Sequence, residues 1–368
     1  FPQFHRRVKK DMIQGVFKVL LAVGFLSEVE ANDSDEELHN RSLVVVREAR
    51  KKGISIMVIK NIFGKSTNHF TIQLKGGKKI FECFPHLTLD YVPEVAFGDK
   101  GKCKELLHEN GLPYAQGAVF KNYGSGIRYV QNTIGFPVVV KPKIGSLSKH
   151  TSCNIRNERE LREAIRIVKL ISKEFVVEEY INGDVHRIIL VNDKMVASCR
   201  REPPNIIGDG EHTIQELIEI KNKNPLRGEQ YKKNYTLHRL EISAKTHLIL
   251  SSQKMNVRDV PAHGKKVYIH DKCILACGAD IHDTTDDVHP ENEYLFKKVY
   301  ALCQAPLIGI DFITTNISKS YREQKCAILE VNSLPYIDMH HYPVTGKERN
   351  VASHVLDYYI SLTYKDTH

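Results

Sequence analysis

Short apolar runs alternate along this chain with longer segments in which apolar residues recur at helical spacing. The first pattern is typical of buried strands and the second of amphipathic helices. Runs of the first kind are Val138–Pro142, Phe175–Ile181, Val185–Leu190, Leu307–Ile313 and Cys326–Asn332. Segments of the second kind are Met12–Leu26, Leu43–Lys52 and Glu158–Ser172. The pattern predicts an α+β or α/β fold.

The leading part of the chain combines a helix with several strands. The predicted helix Leu43–Lys52 is followed by the β-branched run Ile54–Ile59, an order typical of the α/β units that build parallel sheets. Two further runs, Phe70–Leu74 and Lys79–Phe81, flank a Lys-Gly-Gly-Lys turn and predict a hairpin. We therefore predict a small α/β domain over residues 1–98, then a segment 99–181 with a lid hairpin, and a C-terminal part, 182–368.

Three oxygen-bearing side chains occupy strand positions in the C-terminal part. Glu330 and Asn332 are two positions apart, so both side chains point to one face of their strand. Asp311 adds a carboxylate from another predicted strand. Two carboxylates and an amide oxygen are ligands that Mg²⁺ takes beside nucleotide phosphates. These residues predict a Mg²⁺ site, with Mn²⁺ as an alternative; an acid that caps a strand end is the competing interpretation.

Two lysines and a small-residue loop have the placement that a phosphate site requires. Lys100 falls in the first turn of a predicted helix, where a phosphate meets both its ammonium group and the helix N-terminus. Lys141 lies at the end of a buried strand, and the next loop contains Gly145, Ser146 and Ser148. Backbone N–H groups and hydroxyls of such a loop can close over phosphates. For each feature alone, a solvated lysine or an ordinary loop remains open.

An acidic and aromatic segment, Glu178, Glu179 and Tyr180, precedes a turn at Gly183. A hinge between two strands with free backbone groups is suited to adenine binding. This segment is therefore the predicted adenine site.

Composition favours a basic enzyme with anionic substrates. The chain has 368 residues and a formal net charge of +9, but its basic residues are scattered among nearly as many acidic ones and no nucleic-acid motif occurs. We therefore expect no nucleic-acid partner. Eight irregularly spaced cysteines suggest no disulfide framework, which favours the cytoplasm. The apolar stretch Met12–Leu26 is too short to span a bilayer and contains Lys18, so no membrane partner is expected either.

Several motifs taken in order resemble the ATP-grasp fold, in which two α+β halves clamp ATP. The likeness is greatest to the ATP-grasp portion of cyanophycin synthetase and its relatives, including the glutathione-synthetase half of bifunctional glutathione enzymes. The matching pieces are Val138–Pro142, Val177–Ile181 with Arg187, Gly208–Gly210, Asn224–Gly228, Asp286–Pro290, Gly309–Asp311, Glu330–Asn332 and Gly346–Val351. Leading residues resemble the family only loosely.

The resemblance implies roles for the residues singled out above. Lys100 and Lys141 would hold ATP phosphates, Glu178 and the backbone near Tyr180 would meet adenine, and the three oxygen ligands would carry Mg²⁺. Glu179 would belong to the same nucleotide site, and Lys141 and Arg187 would act in catalysis. Asp184 stands one residue away from the family's ribose acid.

Departures from the family concern the substrate. His270 stands where relatives often have an arginine that steadies the transferred phosphoryl group, so we expect it to be a pH-dependent substitute. Asp338 likewise replaces an arginine in the substrate loop, which also contains His340. An arginine there can pair with a substrate carboxylate, whereas Asp338 would attract an amine or guanidinium. A solvated loop acid is the competing interpretation.

The implied activity is ATP-dependent carboxylate–amine ligation through an acyl phosphate, with an amino acid or short peptide as substrate. The chain contains no G-x-x-x-x-G-K-[ST] motif, so we expect a stand-alone ligase without a Mur-ligase domain. A small-molecule kinase and a nucleotide-binding pseudoenzyme with a regulatory role are the alternatives. ATP-grasp ligases often form dimers or tetramers, so a homo-oligomer remains open.

Overall fold

The computed structural model describes residues 15–31, 37–74, 77–82, 100–143, 150–303, 305–333 and 335–365. Its helices are α1 (Asn40–Lys51), α2 (Lys100–Glu109), α3 (Tyr123–Tyr129), α4 (Glu158–Lys169), α5 (Ile214–Asn222), α6 (Ala244–Ser252), α7 (Pro290–Cys303) and α8 (Val351–Lys365). Residues 15–22 are also helical. The mixture of helices and strands confirms the predicted fold class.

The strands are named in chain order. They are β1 (Leu26–Glu30), β2 (Ile56–Asn61), β3 (Ser66–Leu74), β4 (Gly77–Glu82), β5 (Gly117–Phe120), β6 (Val138–Pro142), β7 (Ser152–Ile155), β8 (Phe175–Glu179), β9 (Asp184–Val191), β10 (Lys194–Glu202), β11 (Asn205–Ile207), β12 (Arg227–Gly228), β13 (Leu237–His238), β14 (Lys266–Tyr268), β15 (Asp280–Asp283), β16 (Leu307–Thr314) and β17 (Cys326–Asn332).

Two compact units divide the chain, and each is assembled from separate stretches. Unit 1 comprises Phe1–Val92, Glu202–Asp283 and Leu334–His368, and unit 2 comprises Pro93–Arg201 and Thr284–Ser333. Such units depend on pairing between distant segments, which hydrophobic periodicity does not report. The three consecutive segments expected from the sequence remain a prediction.

The leading sheet of unit 1 is antiparallel throughout, in the order β1-β2-β3-β4. The expectation of a parallel α/β unit was therefore wrong, because a helix followed by a strand does not determine the direction of the neighbouring strands. The predicted hairpin is confirmed as β3 and β4. The helix expected over Met12–Leu26 ends earlier, since Gly24 has a φ of +77° and β1 starts at Leu26.

The rest of unit 1 has a separate apolar core. Its buried side chains come from α5, α6 and the antiparallel pair β11 and β14; they include Ile206, Ile214, Leu250 and Val267. At the other end of the chain, α8 packs beside α1, where Asp357 pairs with Lys52 at 2.7 Å. No helix among the described residues is both long and apolar enough to cross a bilayer.

Unit 2 contains two sets of antiparallel strands, in the orders β5-β8-β6-β7 and β10-β9-β16-β17. Helix α2 connects them: Cys103 and Leu107 join the apolar core of the second set, whereas Lys104 reaches β8 in the first. Gly183 turns the chain from β8 to β9 with a φ of +153°. A Cβ atom there would lie 2.5 Å from the Thr314 backbone, so the close approach requires glycine.

Candidate functional site

A buried glutamate in unit 2 bridges two buried lysines. Glu178, on β8, lies 2.7 Å from the Nζ atom of Lys104 through Oε2 and 2.6 Å from that of Lys141 through Oε1. Burial favours a raised pKa for Glu178, but the ion pairs with Lys141 and Lys104 outweigh it and hold the pKa below its usual value. Burial lowers the pKa of Lys104, and Glu178 opposes that shift. Lys104 also donates a hydrogen bond to the Ala115 carbonyl.

Lys100 lies one helical turn before Lys104 on α2 and belongs to the same electrostatic cluster. Burial lowers the pKa of Lys100, Glu330 opposes the shift, and Lys141 adds to it. Three lysines and Glu178 therefore share one largely dehydrated region with an excess of positive charge. Polyphosphate would supply the missing negative charge, so this region can hold an anion.

Two arginines enclose the Asp311 carboxylate in the second set of strands. Arg187, opposite Asp311 in the β9–β16 register, donates from Nε to Oδ1 at 2.5 Å. Arg201, on β10, donates to Oδ2 at 3.0 Å. Burial alone would raise the pKa of Asp311, yet Arg187 and Arg201 together hold it well below its usual range. Asp311 is thus a buried carboxylate that stays ionised.

The other two expected metal ligands lie on the neighbouring strand. Glu330 is opposite Asp311 in the β16–β17 register, and the Asn332 side-chain NH₂ group donates to Glu330 Oε1 at 3.3 Å. The structure thus brings all three expected residues to adjoining strand positions. Within the described ranges no three His, Cys, Asp or Glu side chains group to hold a metal, and this set has only two carboxylates. Mg²⁺ often takes one or two carboxylates plus phosphate and water oxygens, so the oxygen types of this set fit it. Both Asp311 oxygens also accept hydrogen bonds from arginines, so Glu330 is the carboxylate of the set that accepts no arginine hydrogen bond among the described residues.

The backbone of the predicted adenine segment forms hydrogen bonds that the sequence did not indicate. The Glu179 N–H donates to the Gln116 carbonyl at 2.8 Å, and the Tyr180 N–H donates to the Pro137 carbonyl at 3.1 Å. The expectation of free backbone groups is wrong for these two N–H groups, because Glu179 is still part of β8 and Tyr180 pairs directly after it. The Glu179 carboxylate accepts from the Gln116 N–H and pairs with Lys325 at 2.6 Å.

Asp184, the expected ribose acid, begins β9 with a half-exposed side chain 3.6 Å from Arg200. Gly145, Ser146 and Ser148 of the expected lid lie outside the described residues.

The expected substrate residues belong to unit 1. Asp338 and His340 lie in a short 3₁₀ helix and are 5% and 2% exposed, so the alternative of a solvated loop acid is wrong for Asp338. Burial raises the pKa of Asp338. His270 is paired with the adjacent Asp271 at 3.2 Å, and burial lowers its pKa.

Comparison with known proteins identifies a domain within the chain. Residues 97–209 match the RimK-like ATP-grasp domain. This chain contains an ATP-grasp domain. The chain is similar to the cyanophycin synthetase of Trichormus variabilis, at 32% identity over 326 residues, which cover 88% of this chain and 35% of that protein.

Two glutathione enzymes are also similar to this chain. A glutathione biosynthesis bifunctional protein of Clostridium perfringens is 26% identical over 96% of this chain and 44% of its own length. A bifunctional glutathione synthetase structure from Pasteurella multocida aligns over 90% of this chain and 44% of its own, with a TM-score of 0.65 and 20% identity. The predicted ATP-grasp resemblance is confirmed. The chain spans less than half the length of these relatives.

Sequence reasoning missed two side chains of the ATP-grasp domain. Lys104 follows Lys100 at the i+4 position, so helical geometry puts both on one face, and that spacing was a usable signal. Arg201 gave no such signal, because its approach to Asp311 depends on the pairing of β10, β9 and β16.

Proposed function

We propose that this chain joins a carboxylate to an amine at the expense of ATP. The observation that carries the proposal is the lysine-rich cluster of unit 2. Helix α2 and strands β6 and β8 bring Lys100, Lys104 and Lys141 together. The charge of Glu330 also acts on Lys100. A cationic region for phosphates beside oxygen ligands for Mg²⁺ suits phosphoryl transfer. The similarity to amide-forming enzymes supports ligation as its outcome.

The reaction consists of two balanced steps. A substrate carboxylate oxygen attacks the γ-phosphorus of ATP, the bond to the β-phosphate oxygen breaks, and ADP leaves. An amine nitrogen then attacks the acyl carbon of the acyl phosphate, the carbon–oxygen bond breaks, and phosphate leaves with the electron pair. The proton that the nitrogen loses goes to the leaving phosphate. Neither step requires a covalent bond to the protein, so positioning and charge neutralisation supply the catalysis.

The residues of unit 2 divide this work. Lys100, Lys104 and Lys141 would bind phosphate oxygens in a buried setting where each charge is weakly screened. Asp311, Glu330 and Asn332 would hold Mg²⁺, with Mn²⁺ as an alternative; a bound Mg²⁺ neutralises charge on the transferring phosphoryl group.

Arg187 and Arg201 keep Asp311 ionised and oriented, so Arg187 acts as a positioning residue. Glu178, Glu179, Tyr180 and Asp184 remain the proposed nucleotide residues, and His270 the proposed substitute for an arginine.

The proposed substrates are small molecules, an amino acid or short peptide as carboxylate and a second one as amine. The cytoplasm is the proposed location. The test is ADP release from Mg-ATP with pooled amino acids and short peptides, with mass spectrometry of the same wells. ADP together with a new mass equal to two pool members minus water is the expected result. A phosphorylated product that persists with every amine present would contradict the proposal in favour of a kinase. ATP binding without ADP in any pool would contradict it in favour of a pseudoenzyme.

A further inference from the structure

Three segments of unit 1 bring polar side chains into one buried group, the Asp338 cluster: Asn40 and Arg41 of α1, Thr236 before β13, and Asp338. The exposed fractions are 5% for Asn40, 4% for Thr236 and 5% for Asp338. These segments are remote in the sequence, so the tertiary fold alone assembles the cluster.

The hydrogen bonds within the cluster leave some acceptor atoms without a partner. The Asn40 side-chain NH₂ group donates to Thr236 Oγ1 at 2.7 Å, and the Thr236 hydroxyl donates to Asp338 Oδ2. The hydroxyl proton of Thr236 is therefore donated to Asp338 Oδ2 and serves no second acceptor. Asp338 Oδ1 and Asn40 Oδ1 have no hydrogen-bond partner, nor does Asn234 Oδ1, two residues before Thr236. If the Asn40 amide were rotated by 180°, its NH₂ group would be the unpartnered group in place of Oδ1. Asp338 Oδ1 would still have no hydrogen-bond partner.

Unpartnered oxygens inside a protein are costly, and an unpaired buried carboxylate is more costly still. The contrast with Asp280, another buried aspartate of unit 1, is direct. Asp280 pairs with Arg227 and with Lys221, the latter at 2.6 Å, and it accepts a hydrogen bond from Asn205 at 3.1 Å. Asp338 has one side-chain donor, the Thr236 hydroxyl. The positive charge of Arg41 opposes the rise in its pKa, but among the described residues Asp338 has no ion pair like those of Asp280.

The surroundings of Asp338 also provide an edge toward solvent. The Arg41 guanidinium lies over the Tyr336 ring, 4.7 Å from its centroid. Tyr336 is 40% exposed. Asp338 Oδ1 and Asn40 Oδ1 are unpartnered acceptors in this cluster, and Arg41 Nε is an unpartnered donor. A ligand group that brings N–H donors and positive charge would complement the two oxygens.

We propose that the Asp338 cluster binds the cationic nitrogen head group, ammonium or guanidinium, of the amine substrate. The term substrate rests on the proposed ligase function; the binding of a nitrogen cation does not. Asp338 supplies the charge, and the amide oxygen of Asn40 accepts a further N–H donor.

Direct binding to the full chain without ATP tests the proposal. The probes are Nα-acetyl-L-lysine, Nα-acetyl-L-arginine and L-norleucine, each with one cationic nitrogen, and Nα-acetyl-L-norleucine, which has none. By calorimetry, at least one cationic probe should bind, and the neutral one should bind at least about tenfold more weakly. Asp338→Asn should weaken the binding of the cationic probe by about tenfold or more. Asp357→Asn, which changes an exposed acid in unit 1, should leave that binding unchanged. No binding of any cationic probe, or equal binding by Asp338→Asn, would overturn the proposal.

Thermal unfolding separates a binding role from a structural one. Asp338→Asn should keep or raise the Tm, because it removes an unpaired buried carboxylate, whereas Asp280→Asn should lower it, because it breaks two ion pairs. An equal loss of Tm in both variants would overturn the proposal.

In the ADP-release assay, Asp338→Asn should raise the KM of the amine and leave that of ATP unchanged. Cation binding without ADP release would contradict the ligase function and support this site. ADP release without cation binding would support the ligase function and contradict this site.

Discussion

The strongest electrostatic expectation concerns the glutamate between two lysines. Glu178→Gln removes one negative charge and almost no volume, and it leaves Lys104 and Lys141 close together with no counter-charge. The three side chains are 4%, 7% and 9% exposed, so water screens little of their repulsion. Removal of one partner from a buried ion pair typically costs about 3–5 kcal/mol. At about 3 kcal/mol, the Tm should fall by roughly 6–12 °C for a compact body of this size.

Unit 2 also offers a matched control. Glu174 is likewise shared between two lysines, Lys143 at 3.2 Å and Lys121 at 3.7 Å, but its side chain is 32% exposed and that of Lys121 is 79% exposed. Solvent weakens such pairs, so Glu174→Gln should cost at most about 1 kcal/mol. Both variants change the same residue type in the same unit, and the two sites differ in burial and in the length of their ion pairs.

Differential scanning fluorimetry at neutral pH, with and without inorganic tripolyphosphate, measures both effects. The polyanion should raise the Tm of Glu178→Gln more than that of the wild type, because it replaces the missing charge. Since the folded pKa of Glu178 is lowered from 4.5, its contribution is complete above pH 4.5 and is lost as the pH falls below that value. Equal Tm values for the two variants would refute the argument that burial makes this cluster strong.

Three further outcomes are expected. Glu330→Gln should reduce ADP release by at least about 100-fold at an unchanged Tm, because it removes a proposed metal charge and little volume; full activity would refute its role. Asp311→Asn should cost about 3–5 kcal/mol in urea unfolding, since Arg187 loses its buried partner, and a loss under about 1 kcal/mol would contradict that pairing. Burial and two nearby arginines lower the pKa of His186 to about 4, so stability is complete above pH 6.5 and falls by about 2–3 kcal/mol toward pH 4. His186→Gln should reduce that loss, and an unaltered pH dependence would show that His186 does not cause it.

The strands and most of the site chemistry could be predicted from local patterns. Apolar runs located β6, β9, β16 and β17 to within a few residues, since a buried strand needs consecutive apolar side chains whatever it pairs with. Alternation within β17 placed Glu330 and Asn332 on one face. Strand direction in the leading sheet could not be predicted, because it depends on partners that are chosen only when the chain folds.

The sequence by itself therefore determined which residue types were available and which neighbours along the chain share a face. Lys141, Asp311 and Glu330 were identified in this way by their positions in apolar runs, and Lys100 by its position in the first turn of a predicted helix. Only the tertiary structure decided which charges meet. Arg201 reaches Asp311, and Thr236 reaches Asp338, across more than a hundred residues of chain. The physical reason is that the strength of a charge depends on its partners and on its burial, and both are properties of the packed chain.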